Sequence, residues 1–238
     1  MAIADLLAKL VELKNQLVAN LSSMGVTADE SERLNTLVPK VLKCKADVIW
    51  SQGTVSTEVT SVKIPSGVTS IGISAFSGCT SLAKITIPNS VTSIGSMAFL
   101  NCSSLASITI PDSVTSIGPR AFFDCTSLAI ITIPDSVTSI GDSAFDGCSS
   151  LSSITIPNRV TSIGDMAFRG CTSLASITIP DSVTSIGGRT FEGCTSLANI
   201  YYTGTEEQWN AIPKGHAWNS SMGSNVKGGT VVTYNYTG

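Results

Sequence analysis

Between residues 105 and 117, apolar and polar positions alternate in two short runs. In the first run, LASITIP, Ile108 and Ile110 flank Thr109, which is the period-two pattern of a half-buried strand. Pro111 ends that strand because proline has no N–H to donate to a sheet. The second run, VTSI, predicts a shorter extended piece that ends at Gly118, where glycine permits a tight corner.

A compact segment, PRAFFDC, completes this unit, and the whole unit returns every 23 residues. We expect the segment to form one helical or 3₁₀ turn that places Phe122 in the core. The glycine and phenylalanine columns that begin at Gly72 and Phe76 keep the 23-residue spacing through six units. The proline and cysteine columns keep it too: Pro65, Pro88, Pro111, Pro134, Pro157 and Pro180, and Cys79, Cys102, Cys125, Cys148, Cys171 and Cys194.

One such unit cannot fold alone. It offers about seven large apolar side chains, whose full burial would contribute on the order of 10–20 kcal/mol. Ordering the backbone of the unit costs more, at about 1–2 kcal/mol per residue. Stacking on neighbouring units closes the gap, so the units are expected to form a solenoid of six coils. We number these coils 1 to 6, each beginning at its proline.

The motif of the units, IPxSVTSIGxxAFxxCxSLxxIT, resembles the BspA-type leucine-rich repeat, which is common in surface and secreted proteins of gut and oral bacteria. The segment YYTGTEEQWNAI at residues 201–212 resembles the piece that often closes such arrays. The resemblance implies a β-rich leucine-rich-repeat solenoid, an extracellular or cell-surface location, and adhesion to or binding of a protein or glycan.

The ends of the chain differ from the repeats. Residues 203–238, with Trp209 and Trp218, are expected to form an aromatic cap over the last coil. Residues 48–64 resemble half of a repeat, and residues 65–202 carry the six full ones. Apolar residues at 3-4 spacing from Ile3 to Met24, followed by a capping-box sequence at 27–30, predict a small α-helical domain over residues 1–47.

Two interpretations of this helical domain remain open. It is either a hairpin that packs on itself or on the first coil, or a short coiled coil that makes a homo-oligomer through residues 1–43, with Asn20 setting the register. The domain also resembles the N-terminal helices of some phage tail-associated proteins of Gram-positive bacteria. The alternative function is therefore a structural or receptor-binding subunit of a phage tail.

Composition and net charge limit the kinds of partner that the protein is expected to bind. Charged residues make up 13% of the chain, mean hydropathy is +0.30 and the net charge is −3, so no basic surface for nucleic acid is expected. No apolar run approaches the roughly 18 residues of a membrane helix, so membrane insertion is not expected either. Met1 to Asp5 carry no positive charge and no signal peptide is visible, so a phage particle or the cytoplasm stay open as locations.

Catalytic chemistry has little support in the sequence. The single histidine, His216, lies in a tail rich in glycine and proline, and no GxSxG, HExxH or GxxxxGK motif occurs. The cysteine column contains no CxxC pair of the kind that binds zinc, and its inward-pointing side chains are expected to be buried thiols rather than disulfides. We therefore expect no enzyme activity, no cofactor and no metal.

The few columns that vary between units are the best candidates for a binding surface. They lie eight, nine and twelve residues after each proline, and we call the surface they form the variable edge. Its predicted contact residues are Ile73, Met97, Leu100, Arg120, Phe123, Met166, Arg169 and Arg189. Apolar residues cluster in the first three coils, which is typical of a contact patch for a partner or for the helical domain. Neutral drift at solvent positions is the competing explanation.

A second exposed feature is a column of threonines on the strand face: Thr86, Thr109, Thr132, Thr155 and Thr178. Regular threonines at strand spacing are compatible with a remote alternative, an ice-binding ladder. Threonine is also simply a good strand residue at a solvated position.

Overall fold

The computed structural model describes residues 59–225 and 229–237. The predicted helical domain at 1–47, with its oligomerisation segment 1–43, lies outside the described residues, as does most of the predicted half-repeat.

Each coil contributes two short strands, one on each of two faces. The odd-numbered strands follow the ITIP pattern: β1 Ser61–Lys63, β3 Lys84–Thr86, β5 Ser107–Thr109, β7 Ile130–Thr132, β9 Ser153–Thr155, β11 Ser176–Ile179 and β13 Asn199–Tyr202. The even-numbered strands follow the VTSI pattern: β2 Ser70–Ile71, β4 Ser93–Ile94, β6 Ser116–Ile117, β8 Ser139–Ile140, β10 Ser162–Ile163 and β12 Ser185–Ile186. Helix α1, Glu206–Ala211, and strand β14, Val231–Thr233, follow them.

All pairings are parallel, and the repeats pair with an offset of one 23-residue unit, as in Val62 with Ile85 and Ile163 with Ile186. The even strands form one six-stranded sheet, β2 to β12. The odd strands form three groups, β1–β3, β5–β7 and β9–β11–β13, and the cap strand β14 pairs with β13 in the last of them. The constant offset confirms the predicted β-solenoid of six coils.

Every coil turns the same corner at its proline. The carbonyl of each repeat proline accepts a hydrogen bond from the valine three residues later, for example Val114 to Pro111 at 3.0 Å and Val160 to Pro157 at 3.0 Å. Proline fixes its own φ and leaves its carbonyl free to accept this bond, which is why it recurs at this corner.

The core consists of columns of identical residues stacked along the solenoid. Six phenylalanine rings, from Phe76 to Phe191, lie fully buried with neighbouring ring centroids 5.1 to 5.7 Å apart and nearly parallel planes. Valine, leucine, isoleucine and alanine columns surround them. A side chain that fills one coil therefore fills the next, and this accounts for the near identity of the units.

The cysteine column is buried beside the phenylalanines, as predicted. From coil 2 onward each Sγ donates to the carbonyl of the phenylalanine 26 residues earlier, as Cys125 does to Phe99 at 3.1 Å. Burial raises the pKa of Cys102 to about 12 and the pKa of Cys125 well above its usual range. These thiols are thus small apolar side chains that also satisfy one backbone acceptor each.

The segment between the glycine and the cysteine of each coil, which we call the arch, differs from its predicted form. The prediction of a helical or 3₁₀ turn in this segment is wrong. Successive i to i+3 hydrogen bonds are present, as from Ala98 to Gly95 and Cys102 to Phe99, but left-handed residues interrupt any helix. In coil 2 these are Met97 at φ 57° and Asn101 at φ 59°. The phenylalanine still reaches the core, as predicted.

The last coil is covered by aromatic residues, which confirms the predicted cap. Trp218 meets the ring of Phe191 edge-on, with ring centroids 6.2 Å apart and an angle of 76° between the ring planes. Trp209, held on α1, packs against both Trp218 and Tyr202. A capping box of Thr205 and Gln208 begins α1.

Candidate partner-binding edge

The arches hold neighbouring coils together through their backbones. Within coil 2, the N–H groups of Met97, Phe99 and Asn101 donate to carbonyls of coil 3 at 2.8 to 2.9 Å. The same three bonds recur from coil to coil. Because the backbone carries these contacts, most side chains of the variable columns are not needed for stacking. This is the physical reason that the variable edge tolerates different residues.

The exposure of the predicted contact residues is uneven. Ile73 is 68% exposed, and Arg120 and Arg189 are exposed as well. The remaining five are half-buried: Met97, Leu100, Phe123, Met166 and Arg169. Two other members of the variable columns are buried, contrary to the expectation that these columns face solvent throughout: Ser143 and Asp146.

Five of the eight predicted residues line one hollow, which runs along the solenoid across coils 2 to 5. Its lining residues, which define the edge hollow, are Leu100, Arg120, Phe123, Ser143, Asp146, Met166 and Arg169, and its volume is about 310 Å³. The other three predicted residues, Ile73, Met97 and Arg189, lie on the same edge but do not line this hollow. The edge hollow therefore combines three apolar walls with two guanidinium groups.

An ion pair forms the floor of the edge hollow. Nε of Arg169 donates to Oδ1 of Asp146 at 3.0 Å, and Nη2 lies 2.9 Å from Oδ2. Oδ2 is buried and accepts no well-aligned hydrogen bond from a described residue. Burial raises the pKa of the Asp146 carboxyl, and Arg169 opposes that rise without cancelling it. The charge of Arg169 is thus already committed within the protein.

Arg120 differs from the other two arginines of the edge. Within the described part of the chain, the ion pairs are Arg169 with Asp146 and a looser one, Arg189 with Glu192 at 3.9 Å. Arg120 therefore has no carboxylate partner among the described residues, although it lies beside Phe123 and Leu100 in the edge hollow. It is the cation of the hollow that is available to a ligand.

Some variable positions are coupled to the next coil, which sequence comparison between units did not show. Oδ1 of Asp142 accepts the N–H of Asp165 at 2.9 Å, and Oδ1 of Asp165 accepts the N–H of Gly188 at 2.7 Å. Pro119 has no N–H, and there the pattern reverses, since the Ser96 hydroxyl donates to the Pro119 carbonyl at 3.0 Å. These residues stabilise the stack and are poor candidates for partner contacts.

One further column of the repeat carries a sequence signal for the arch geometry. Thirteen residues after each proline stand only glycine, asparagine and aspartate: Gly78, Asn101, Asp124, Gly147, Gly170 and Gly193. All six have positive φ. Glycine, asparagine and aspartate are the residues that enter the left-handed region most readily. This column therefore indicates that each arch has a left-handed residue near its end, which is incompatible with a helical turn.

Two other hollows lie on the strand face, where neighbouring odd strands stand side by side without pairing. The hollow between β3 and β5 has a volume of about 480 Å³, and that between β7 and β9 about 280 Å³. Their walls carry the repeated isoleucines and threonines, including Thr86, Thr109, Thr132 and Thr155. Two walls of nearly the same chemistry offer little to distinguish one partner from another.

The remaining candidates for chemistry are placed as follows. The His216 side chain is exposed in the cap, and its carbonyl accepts the N–H of Arg189 at 2.9 Å. Within residues 59–225 and 229–237, no group of three His, Cys, Asp or Glu side chains is arranged to hold a metal ion. No helix in that same part of the chain is both long and apolar enough to cross a bilayer.

Comparison with known proteins identifies the repeats. Residues 54–143 and 124–215 match the family described as BspA type leucine rich repeat region, in six copies. A leucine rich cell surface protein from Faecalibacterium prausnitzii A2-165 is similar in structure, with 40% identity, a TM-score of 0.56 and coverage of 65% of this chain. The chain spans 51% of the length of that protein.

A leucine rich repeat protein from T. pallidum is also similar, with 34% identity and a TM-score of 0.64. The similarity covers 70% of this chain and 78% of that one. No curated protein matches the sequence.

Proposed function

The chain belongs to the family of BspA-type leucine-rich repeat proteins, and from this premise we propose that it is a protein-binding scaffold of a bacterial surface, acting through its variable edge. The observation that carries the proposal is the edge hollow. It is a concave site lined by Leu100, Phe123 and Met166, with arginines beside them. Apolar walls with arginine are the composition of the centre of a protein interface.

Adhesion at the cell surface is the setting that fits this role. The similar protein of Faecalibacterium prausnitzii A2-165 is a cell surface protein, and its repeats share the fold of this chain. A solenoid presents its edge as a rigid, elongated surface, so a partner can bind without ordering the scaffold first.

A glycan partner is the competing occupant. Glycans would be expected on the strand face, where threonine and serine hydroxyls are exposed in columns. The half-buried apolar side chains of the edge hollow favour a protein segment instead, because such side chains gain most from contact with other apolar groups.

The test is selection from a displayed library of random peptides with the full chain as bait. Selected peptides should bind the wild type and lose binding to the double variant Leu100→Ser/Phe123→Ser. A matched control, Ile130→Ser/Val231→Ser, also replaces two apolar residues by serine, at strand-face and cap positions that are 66% and 56% exposed. It should bind the selected peptides as the wild type does.

Both doubles must remain folded for this comparison to hold. Leu100 and Phe123 are only half-buried, so we expect their joint replacement to cost about 1–2 kcal/mol, well below unfolding of the array. Peptides that bind the edge double as tightly as the wild type would overturn the proposed site. A library that yields no binders, while an immobilised polysaccharide panel does, would overturn protein binding itself.

A further inference from the structure

We propose that the edge hollow binds an extended peptide segment in which an acidic side chain is flanked by large apolar ones. This inference rests on the proposed function and adds the chemistry of the partner. Its basis is the mismatch between the charges of the hollow and their partners within the protein.

The charge of the hollow is positive although the protein is acidic. The chain as a whole has a net charge of −3. In the edge hollow, Asp146 and Arg169 neutralise each other, and Arg120 is left without a carboxylate among the described residues. An exposed guanidinium next to apolar walls is a site for a carboxylate, because the fork of N–H groups matches its two oxygens.

The side chains around Arg120 favour a ligand with apolar groups. Leu100 lies one coil before it and Met166 two coils after it, while Phe123 lies in its own coil. All three side chains are half-buried, so each still exposes apolar surface to the hollow. Each large apolar side chain of a ligand that covers this surface would be removed from water together with the wall it touches.

The length and volume of the hollow set the size of the segment. Coils 2 to 5 are three spacings apart, or roughly 15 Å at about 4.8 Å per spacing. An extended chain covers that length with about five residues at roughly 3.3 Å each. In such a segment, side chains at alternate positions share one face. An acidic residue with apolar residues two positions to either side therefore presents all three to the hollow.

The burial of Asp146 leaves the hollow selective against basic ligand groups. A basic ligand group would meet Arg120 and Arg169 at the surface, and the carboxylate that could attract it is only 4% exposed and held by Arg169. Like charges therefore oppose a cationic ligand, and the buried carboxylate does not compensate.

The experiment titrates the full chain with three peptides: acetyl-Leu-Gly-Asp-Gly-Leu-amide and its versions with Asn or Lys in place of Asp. The chain carries five methionines, and their methyl groups are labelled with ¹³C for NMR. The Met166 methyl reports on the hollow, and the half-buried Met222 in the cap is the internal reference. The Asp peptide should change the chemical shift of the Met166 methyl group saturably, and it should bind about tenfold more tightly than the Asn peptide. The Lys peptide should be weaker still, and added salt should reduce the difference.

Arg120→Asn is the decisive variant. Arg120 has φ 55°, and asparagine tolerates that conformation, so the substitution removes the charge without backbone strain. It should weaken the Asp peptide about tenfold and leave the Asn peptide unchanged. Arg189→Asn is the matched control, since Arg189 occupies the same column at φ 53° outside the hollow, and it should change neither.

Several results would overturn the inference. They are equal binding of the Asp and Lys peptides, an unchanged Asp peptide affinity in Arg120→Asn, and the absence of a saturable Met166 shift. None of these touches the proposed function, because library peptides of other composition that depend on Leu100 and Phe123 would still support it. The proposed function itself would be contradicted by library peptides that bind the Leu100→Ser/Phe123→Ser variant as tightly as the wild type.

Discussion

Left-handed residues shape every arch, and none of the six near its beginning is glycine. The ninth position after the proline holds serine, methionine or arginine at φ between 53° and 57°, as in Met97, Ser143 and Met166. A left-handed conformation costs roughly 1–2 kcal/mol for an ordinary residue. The bonds from these N–H groups to the next coil offset that cost, as in Met166 to Gly188 at 2.8 Å.

Substitutions at Gly170 measure the cost of backbone strain apart from any packing clash. Its φ is 69°, and an added Cβ would have its nearest neighbours 3.7 Å away, at ordinary contact distance. Gly170→Ala should therefore be less stable than Gly170→Asn by about 1 kcal/mol, because only asparagine tolerates the left-handed region. Urea unfolding measures the difference. Equal stability of the two variants would show that the arch can change its backbone conformation freely.

The buried carboxyl of Asp146 should make stability depend on pH. Burial raises its pKa in the folded state, so folding favours the protonated form. The resulting stabilisation is fully present below the unfolded pKa of about 4 and is lost as pH rises through the raised folded pKa. The stability of the wild type relative to Asp146→Asn should therefore fall as pH rises from about 3 to 7. Unfolding at a series of pH values tests this, and a difference that grows with pH would contradict it.

Removal of Arg169 should lower the free energy of unfolding by the cost of burying the Asp146 carboxylate without a cation. Arg169→Met leaves Asp146 buried without its cation, and losing one partner of a buried pair is more costly than losing both. Because the Arg169 side chain is 39% exposed, solvent screens the pair, and we expect a loss of about 1–3 kcal/mol. Adding Asp146→Asn should recover part of the loss in the same unfolding assay. A double variant no more stable than Arg169→Met would contradict this account.

At the scale of the element, the hydrogen bonds that join successive arches all point the same way along the solenoid. In each, three N–H groups face the next coil, and the carbonyls that accept them face the previous one. The N–H groups of the last arch, at Arg189, Phe191 and Gly193, donate to carbonyls of residues 216, 218 and 220 in the cap. The cap thus satisfies donors that the repeat pattern necessarily leaves open at this end.

The cysteine ladder should be chemically inert while the array is folded. Thiolate is the reactive form, and burial raises the pKa of Cys102 to about 12. With Cys44, outside the described residues, replaced by serine, the six ladder thiols should react with iodoacetamide more than about a hundredfold more slowly at pH 8 than in urea. Mass spectrometry of the peptides gives each rate. Fast alkylation of a central thiol such as Cys125 in the folded protein would contradict the prediction.

At the scale of the whole molecule, each coil contacts only its neighbours, so disturbance should remain local. Trp218→Ala removes the ring that covers Phe191 in coil 6. Amide hydrogen exchange should accelerate at Phe191 and Gly193 and stay unchanged at Phe122 in coil 3. Equal acceleration at all three amides would instead show that the solenoid opens as one cooperative unit.

The sequence by itself determined the solenoid. A 23-residue period with constant Pro, Gly, Phe and Cys columns admits only a stack in which identical side chains lie over one another. It also placed Phe122 and the cysteines in the core and the predicted contact residues on one edge, because burial in a regular array depends mainly on position within the unit.

Only the tertiary structure decided which edge residues meet. The period places Leu100, Phe123 and Met166 in columns, but the hollow arises from side chains of four successive coils, including the buried Asp146. It also decided that the arch is not helical and that, among the described residues, Arg169 has a carboxylate partner while Arg120 has none. The physical reason is that periodicity specifies the position of a residue within its own coil. Pairing and concavity depend instead on which particular side chains are stacked next to each other.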